Sequence, residues 1–85
     1  MKNTHQIFLI SDSTGETLDR IFMALKAQFN NFEYELNQFS FTRTETQIST
    51  ILKDAKKQDS PIILYTVVNS KLAKFLAEES NKVGI

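Results

Sequence analysis

The chain has 85 residues, 41% of them hydrophobic, and ten Lys and Arg offset ten Asp and Glu to give a formal net charge of zero. That size holds one small domain or part of a larger one, and the balanced charge argues against a protein built mainly to coat nucleic acid or an anionic membrane. There is no Cys, and His5 is the single His, so disulfides, a Cys nucleophile and a Cys/His zinc site made by this chain alone are excluded.

No apolar run approaches the ~20 residues of a membrane span, and the polar start before Ile7 argues against a secretory leader. Gln6 to Ser11 reads as the first strand, with His5 in a frayed terminus. Ile7, Phe8, Leu9 and Ile10 are continuously apolar, the pattern of a strand covered on both faces. Ser11, Asp12, Ser13, Thr14 and Gly15 break that pattern with turn-forming residues. A helix is expected from about Thr14 to Phe29, because Leu18, Ile21, Phe22, Leu25 and Phe29 recur at three- and four-residue steps. Ser13 and Glu16 have capping-box spacing, and Asn30 and Asn31 suit the helix stop.

Phe32 to Phe39 reads as the second strand, with Phe41 as its outer limit. Phe32, Tyr34 and Leu36 alternate with Glu33, Glu35 and Asn37, which indicates a half-exposed strand at a sheet edge. The second helix is expected from about Thr44 to Lys57, with Ile48, Ile51, Leu52 and Ala55 inward. Either Thr42 with Glu45 or Thr44 with Gln47 supplies its capping box. Lys56 and Lys57 suit the negative end of its dipole.

Pro61 opens the third strand, where a missing amide proton does little harm. Ile62 to Val68 is apolar and β-branched, as expected of a central strand. Asn69 reads as the N-cap of a third helix with Leu72, Phe75, Leu76 and Val83 inward. Gly84 fits the left-handed position after that helix, and Ile85 reads as the start of a further strand. The βαβαβα pattern with short loops predicts a parallel sheet with right-handed crossovers. The buried strand one and the half-exposed strand two set the order 2-1-3, a three-layer α/β sandwich of Rossmann-like or flavodoxin-like kind. Strands beyond the third are expected to complete it.

Ligands of such sheets bind beyond the carboxyl ends of the strands, where the strand order reverses. That point collects Ser11, Asp12, Ser13, Thr14 and Gly15 from one loop and Asn69, Ser70 and Lys71 from another. The first loop runs into a helix N-terminus, whose free amides and dipole favour an anion such as phosphate. Gly15 lets backbone approach a ligand, and the hydroxyls of Ser11, Ser13 and Thr14 add donors. The same loop also reads as no more than a turn and a cap, and Asp12 and Glu16 oppose an anion. It is neither a Walker A loop nor a dinucleotide fingerprint. Asp12 reads either as a base or metal ligand, or as an Asx-turn residue. Arg43, in the second polar cluster Thr42–Thr46, reads as a phosphate clamp or as part of a solvated helix start. Phe39 and Phe41 fit the core pattern least well and are candidates for a partner surface.

The run Ile7 to Thr17, with Ser-Asp-Ser-Thr-Gly-Glu-Thr at its centre, resembles the start of the pyruvate, phosphate dikinase regulatory protein family, which includes the phosphoenolpyruvate synthetase regulators. Phe41 to Thr46 and Ile63 to Leu72 support the resemblance. It implies a bifunctional serine/threonine kinase that uses ADP to phosphorylate a threonine of the dikinase or synthetase. The same enzyme reverses this with inorganic phosphate, releasing pyrophosphate. It also implies a soluble, cytoplasmic protein. That family's nucleotide site lies in its C-terminal half and maps to no residue here, so residues 1–85 are expected to be an N-terminal α/β domain, inactive alone and without bound cofactor or metal. Within it, the resemblance and the loop chemistry together make Asp12 the catalytic candidate. Ser11, Ser13, Thr14, Gly15, Thr17 and Arg43 are the candidates for binding phosphate or substrate. The implied partner is the dikinase or synthetase, with no nucleic acid or membrane, and a homo-oligomer is left open. The alternative is a non-catalytic anion- or partner-binding α/β module. A receiver-like or flavodoxin-like domain ranks below both, because Asn69 stands where a receiver needs a phosphoacceptor Asp after strand three.

Overall fold

A computed structural model of the chain describes residues 4–28, 33–58 and 60–84. Strands and helices alternate as β1 (His5–Ser11), α1 (Glu16–Lys26), β2 (Tyr34–Phe39), α2 (Glu45–Lys57), β3 (Pro61–Thr66) and α3 (Ser70–Lys82). The strands form one parallel sheet in the order β2-β1-β3, as the sequence predicts. In this register Ile7 lies between Leu36 and Ile62, and Ile10 between Phe39 and Tyr65.

Successive side chains of a strand point to opposite faces, so the continuous apolar run of β1 feeds two cores. Ile7 and Leu9 pack with Leu18 and Phe22 of α1, flanked by Tyr34, Ile62 and Leu64. Phe8 and Ile10 pack with Ile48, Ile51, Leu52 and Ala55 of α2 and with Leu76 of α3. Among the described residues helix α1 therefore covers one face, and α2 and α3 share the other, giving three layers. Each fully buried Ile or Leu of β1 contributes roughly 1.5–3 kcal/mol through burial.

Several expectations are corrected. Helix α1 begins at Glu16, later than Thr14, because Gly15 is its N-cap with φ of 87°. Glu16 is then the first helical residue rather than the third, so the Ser13–Glu16 capping box does not form, and no side chain caps α1. Ile21 and Leu25 belong to the predicted apolar stripe but are exposed. Among the described residues no second helix on that face covers the flank of α1. Strand β2 stops at Phe39, and Phe39 joins the core by stacking on Phe8, with ring centroids 6.1 Å apart. Phe41, its companion candidate for a partner surface, is exposed. His5 is the first residue of β1, where its amide donates to the Glu33 carbonyl at 3.0 Å, and is not frayed. Within residues 1–85 strand β3 lies at the sheet edge, as expected for the order 2-1-3 before any further strand is added, and is half-buried there. The expectations for Phe29, Asn30, Asn31, Phe32 and Ile85 lie outside the described residues.

The other caps follow the sequence. Thr44 and Gln47 form the capping box of α2, one of the two alternatives read from the spacing. Asn69 caps α3 by accepting from Lys71 and Leu72 amides, and Gly84 takes φ of 79° after it.

Candidate functional site

Three loops meet at the carboxyl end of the sheet: residues 11–15 after β1, 40–44 after β2 and 67–69 after β3. The first is the hub. Ser11 is 2% exposed. Its hydroxyl oxygen accepts from the Ser13 amide at 3.1 Å and from the Thr66 hydroxyl at 3.5 Å, and lies 3.3 Å from the Ser13 hydroxyl. These bonds hold the turn that leads into α1, so Ser11 organises the loop from beneath.

The second loop is tied to the first through backbone. The Phe41 amide donates to the Ser13 carbonyl at 2.9 Å and the Thr42 amide to the Ser11 carbonyl at 2.8 Å. The Ser40 hydroxyl donates to the Thr14 carbonyl at 3.0 Å, and Arg43 Nε to the Asp12 carbonyl at 3.0 Å. Thr42 is also 2% exposed, and its hydroxyl donates to the Phe39 carbonyl at 3.3 Å. Buried polar groups persist only when bonded in this way.

Asp12 joins the third loop. Its amide donates to the Thr66 carbonyl at 3.3 Å, and its Oδ2 accepts from the Val68 amide at 2.8 Å. The carboxylate thus staples two loops across the switch point. Its Oδ1 accepts no protein donor among the described residues, so one oxygen stays available for a proton or a ligand group.

Of the remaining candidates, Ser13 and Thr14 are exposed, with the Thr14 hydroxyl accepting weakly from the Glu16 amide at 3.5 Å. Thr17 is exposed in the first turn of α1. A Cβ on Gly15 would meet only Ser40 Oγ at 3.5 Å and Ser11 Cβ at 3.9 Å, so the glycine is there for its left-handed φ and not for space. The structure brings Ser11, Asp12, Ser13, Thr14, Gly15 and Arg43 into one bonded rim, with Thr17 a step along the helix. Asn69 is occupied as a cap. Ser40 escaped sequence reasoning. Its signal was position alone, a hydroxyl directly after a strand that ends on the same rim as Ser11.

Two hollows flank this rim. A small one of about 50 Å³ lies between loop and β2, lined by Ser11, Thr14, Gly15, Asp19, Gln38 and Ser40 among others. Asp19 binds Gln38 Nε2 there at 2.6 Å, so negative charge already sits beside the α1 N-terminus. A larger groove of about 500 Å³ runs between the end of β2 and the start of α2. Its walls are Ser40, Thr44, Thr46, Gln47 and Thr50, with Phe39 and Ile51 at the apolar end. Among the described residues no group of three or more His, Cys, Asp or Glu is placed to hold a metal ion. No helix among them is long and apolar enough to cross a membrane.

Three relatives are each provisionally named a pyruvate, phosphate dikinase regulatory protein. That of Pelagibacter ubique is 60% identical over 85 residues, which is 100% of this chain and 31% of the relative. That of Geotalea uraniireducens is 42% identical over 76 residues, 89% of this chain and 28% of the relative. That of Alkaliphilus oremlandii is 38% identical over 79 residues, 93% of this chain and 28% of the relative. The chain thus spans about a third of the length of these relatives. No solved structure matches it at a significant level. The kinase/pyrophosphorylase family model matches residues 7–85, from the buried run of β1 to the last residue, and the chain belongs to that family.

Proposed function

We propose that this chain is the N-terminal α/β domain of a bifunctional enzyme that regulates pyruvate, phosphate dikinase, or phosphoenolpyruvate synthetase, by reversible threonine phosphorylation. The family match over residues 7–85, which includes the Ser11–Thr17 loop, carries this reading. ADP is the phosphoryl donor of the forward reaction and inorganic phosphate the acceptor of the reverse one. Both reactions take place in the cytoplasm and need the nucleotide-binding half supplied by the rest of the parent protein.

In this division of labour the domain holds the target and its phosphoryl group. The Arg43 guanidinium, pinned through Nε to the Asp12 carbonyl, keeps its terminal nitrogens for phosphate oxygens. The Ser13 and Thr14 hydroxyls and the first amides of α1, including that of Thr17, add donors at the same rim. Asp12 Oδ1 is the proton acceptor for the attacking threonine hydroxyl, and Oδ2 stays on the Val68 amide to fix its direction.

The test uses the parent enzyme and the isolated 85-residue chain, each incubated with ADP and phosphohistidine-bearing dikinase. Threonine phosphorylation is expected from the parent only. Failure of the parent on both dikinase and synthetase sinks the assignment, and activity of the chain alone overturns the division of labour.

A second reading, an anion- or partner-binding module without chemistry of its own, is favoured by one observation. Asp12 already serves as the staple between two loops. Amide shifts on titration with phosphate, pyrophosphate and ADP separate the two. Changes confined to residues 11–17 with phosphate, beside unchanged activity of a parent carrying Asp12→Asn, would favour the module.

A further inference from the structure

The two edges of the sheet are built differently. Glu33 and Glu35 place charge on the β2 edge, where Glu35 accepts from Gln6 Nε2 at 3.1 Å, and such charge discourages further pairing. Strand β3 carries no charged residue, and neither do Val67 and Val68 beyond it. Its outer backbone has no strand partner among the described residues. The Ser60 and Thr66 carbonyls accept from the Gln6 and Asp12 amides. Alternate residues of a parallel strand face alternate neighbours, so Ile63 and Tyr65 turn their amides away from β1, towards the open edge.

Helix α1 shows the same asymmetry. At about 100° per residue, Asp19, Met23 and Lys26 lie on one side of the buried Leu18 and Phe22, and Ile21 and Leu25 on the other. The first side faces β2, where Asp19 accepts from Gln38 Nε2 and Lys26 Nζ stands 5.2 Å from the Tyr34 ring centroid. The second side therefore faces β3, whose Ile62 and Leu64 are half-buried against the α1 core. Ile21 and Leu25 are 44% and 43% exposed there. On the β2 side the exposed Met23 and Leu36 share their surroundings with charge; on the β3 side helix flank and strand form one uncharged apolar step.

A strand added at the β3 edge lies in the plane of the sheet and leaves Ile21 and Leu25 in water. Only an element in the layer of α1 covers them. Helices α2 and α3 occupy the opposite face. Right-handed crossovers that continue past β3 in the same direction place their helices on that opposite face as well. The element beside α1 is therefore not the next crossover helix.

We infer that a helix from the parent polypeptide outside residues 1–85 packs on Ile21 and Leu25 over β3, above a sheet continued by a strand at the β3 edge. The inference rests on the proposed parent for the existence of that polypeptide, and not on its chemistry. This chain is 31% of the Pelagibacter ubique relative, so a parent of that length has ample chain to supply both elements. The seam also reaches the candidate site. Val68, 89% exposed just beyond β3, donates its amide to Asp12 Oδ2 at 2.8 Å. The rest of the parent thus meets the rim from the β3 side, beside Asp12.

The test uses the full-length parent, followed by amide hydrogen exchange and thermal unfolding. The Ile63 and Tyr65 amides are expected to exchange at least about a hundredfold more slowly than in an unstructured peptide. Leu25→Ala is expected to lower the unfolding midpoint by about 4 °C or more, and Met23→Ala, on the β2 side of the same helix, by about 1 °C or less. Exchange of Ile63 and Tyr65 at the unstructured rate overturns the added strand. Equally small shifts for the two variants overturn the helix. Both measurements are repeated on dilution to the monomer. Protection that disappears there would give the seat to a second copy and overturn its assignment to the same polypeptide. Neither readout involves phosphoryl transfer, so a parent inactive on dikinase and synthetase counts against the proposed function and leaves this result standing.

Discussion

Two strand-to-helix junctions stand side by side at the rim, and they are built on opposite plans. The junction into α2 completes itself. Thr44 accepts from the Gln47 amide at 3.2 Å, and Gln47 returns to accept from the Thr44 amide at 3.0 Å. The junction into α1 does not complete itself. It starts at a left-handed glycine without a side-chain cap, and its backbone carbonyls and the Asp12 carboxylate accept from the neighbouring loops. A self-contained cap stabilises one helix. A cross-linked loop fixes three strand ends relative to one another and leaves first-turn amides unclaimed.

The largest stability effect that separates the two plans is expected at Gly15. Gly15→Ala introduces a Cβ with ordinary contacts but in a left-handed conformation, and is expected to destabilise the fold by about 1–2 kcal/mol. Urea unfolding measures it. A neutral result would mean that the loop relaxes and that its geometry is not imposed by the bonds to Ser40, Phe41 and Thr42. At the other junction Thr44→Ala is expected to cost about 1 kcal/mol, and Thr44→Ser far less, because the serine hydroxyl can still accept from the third helical amide. Should Thr44→Ala prove as mild as Thr44→Ser, the capping box contributes little and the contrast between the junctions fails.

How much of this was legible follows from what each feature depends on. The elements, their order and the two-sided core are local matters of period and composition. Ile7 to Ile10 announces a strand covered twice, and Ile48, Ile51, Leu52 and Ala55 announce one buried helix face. The Thr44–Gln47 box and the Asn69 cap are local as well. The Ser13–Glu16 box failed because the same letters admit two frames, and the left-handed Gly15 chose the frame in which Glu16 comes first in the helix. Ile21 and Leu25 were misjudged because burial there depends on a neighbouring element, and none among the described residues packs on them, which no period within α1 can reveal. At the site, the residue types were legible but their partners were not. Thr42 is buried under the loop rather than capping α2, and Arg43 is anchored to the Asp12 backbone, because the parallel register places residues about thirty apart at one strand end.

The smallest stability effect is expected at Asp12, and it is the most informative. Asp12→Asn keeps an oxygen that can accept from the Val68 amide, so the staple survives as a neutral bond and stability is expected to change by about 0.5 kcal/mol or less. If the carboxylate only joins loops, parent activity is expected to follow stability and barely move. If Oδ1 accepts the proton of the attacking hydroxyl, the amide cannot replace it, and kcat is expected to fall by about a hundredfold or more with KM for the dikinase little changed. Thermal unfolding and steady-state kinetics on the same variant therefore separate the two roles. A large loss of both stability and activity would contradict each, because it would mean that the charge itself holds the rim together.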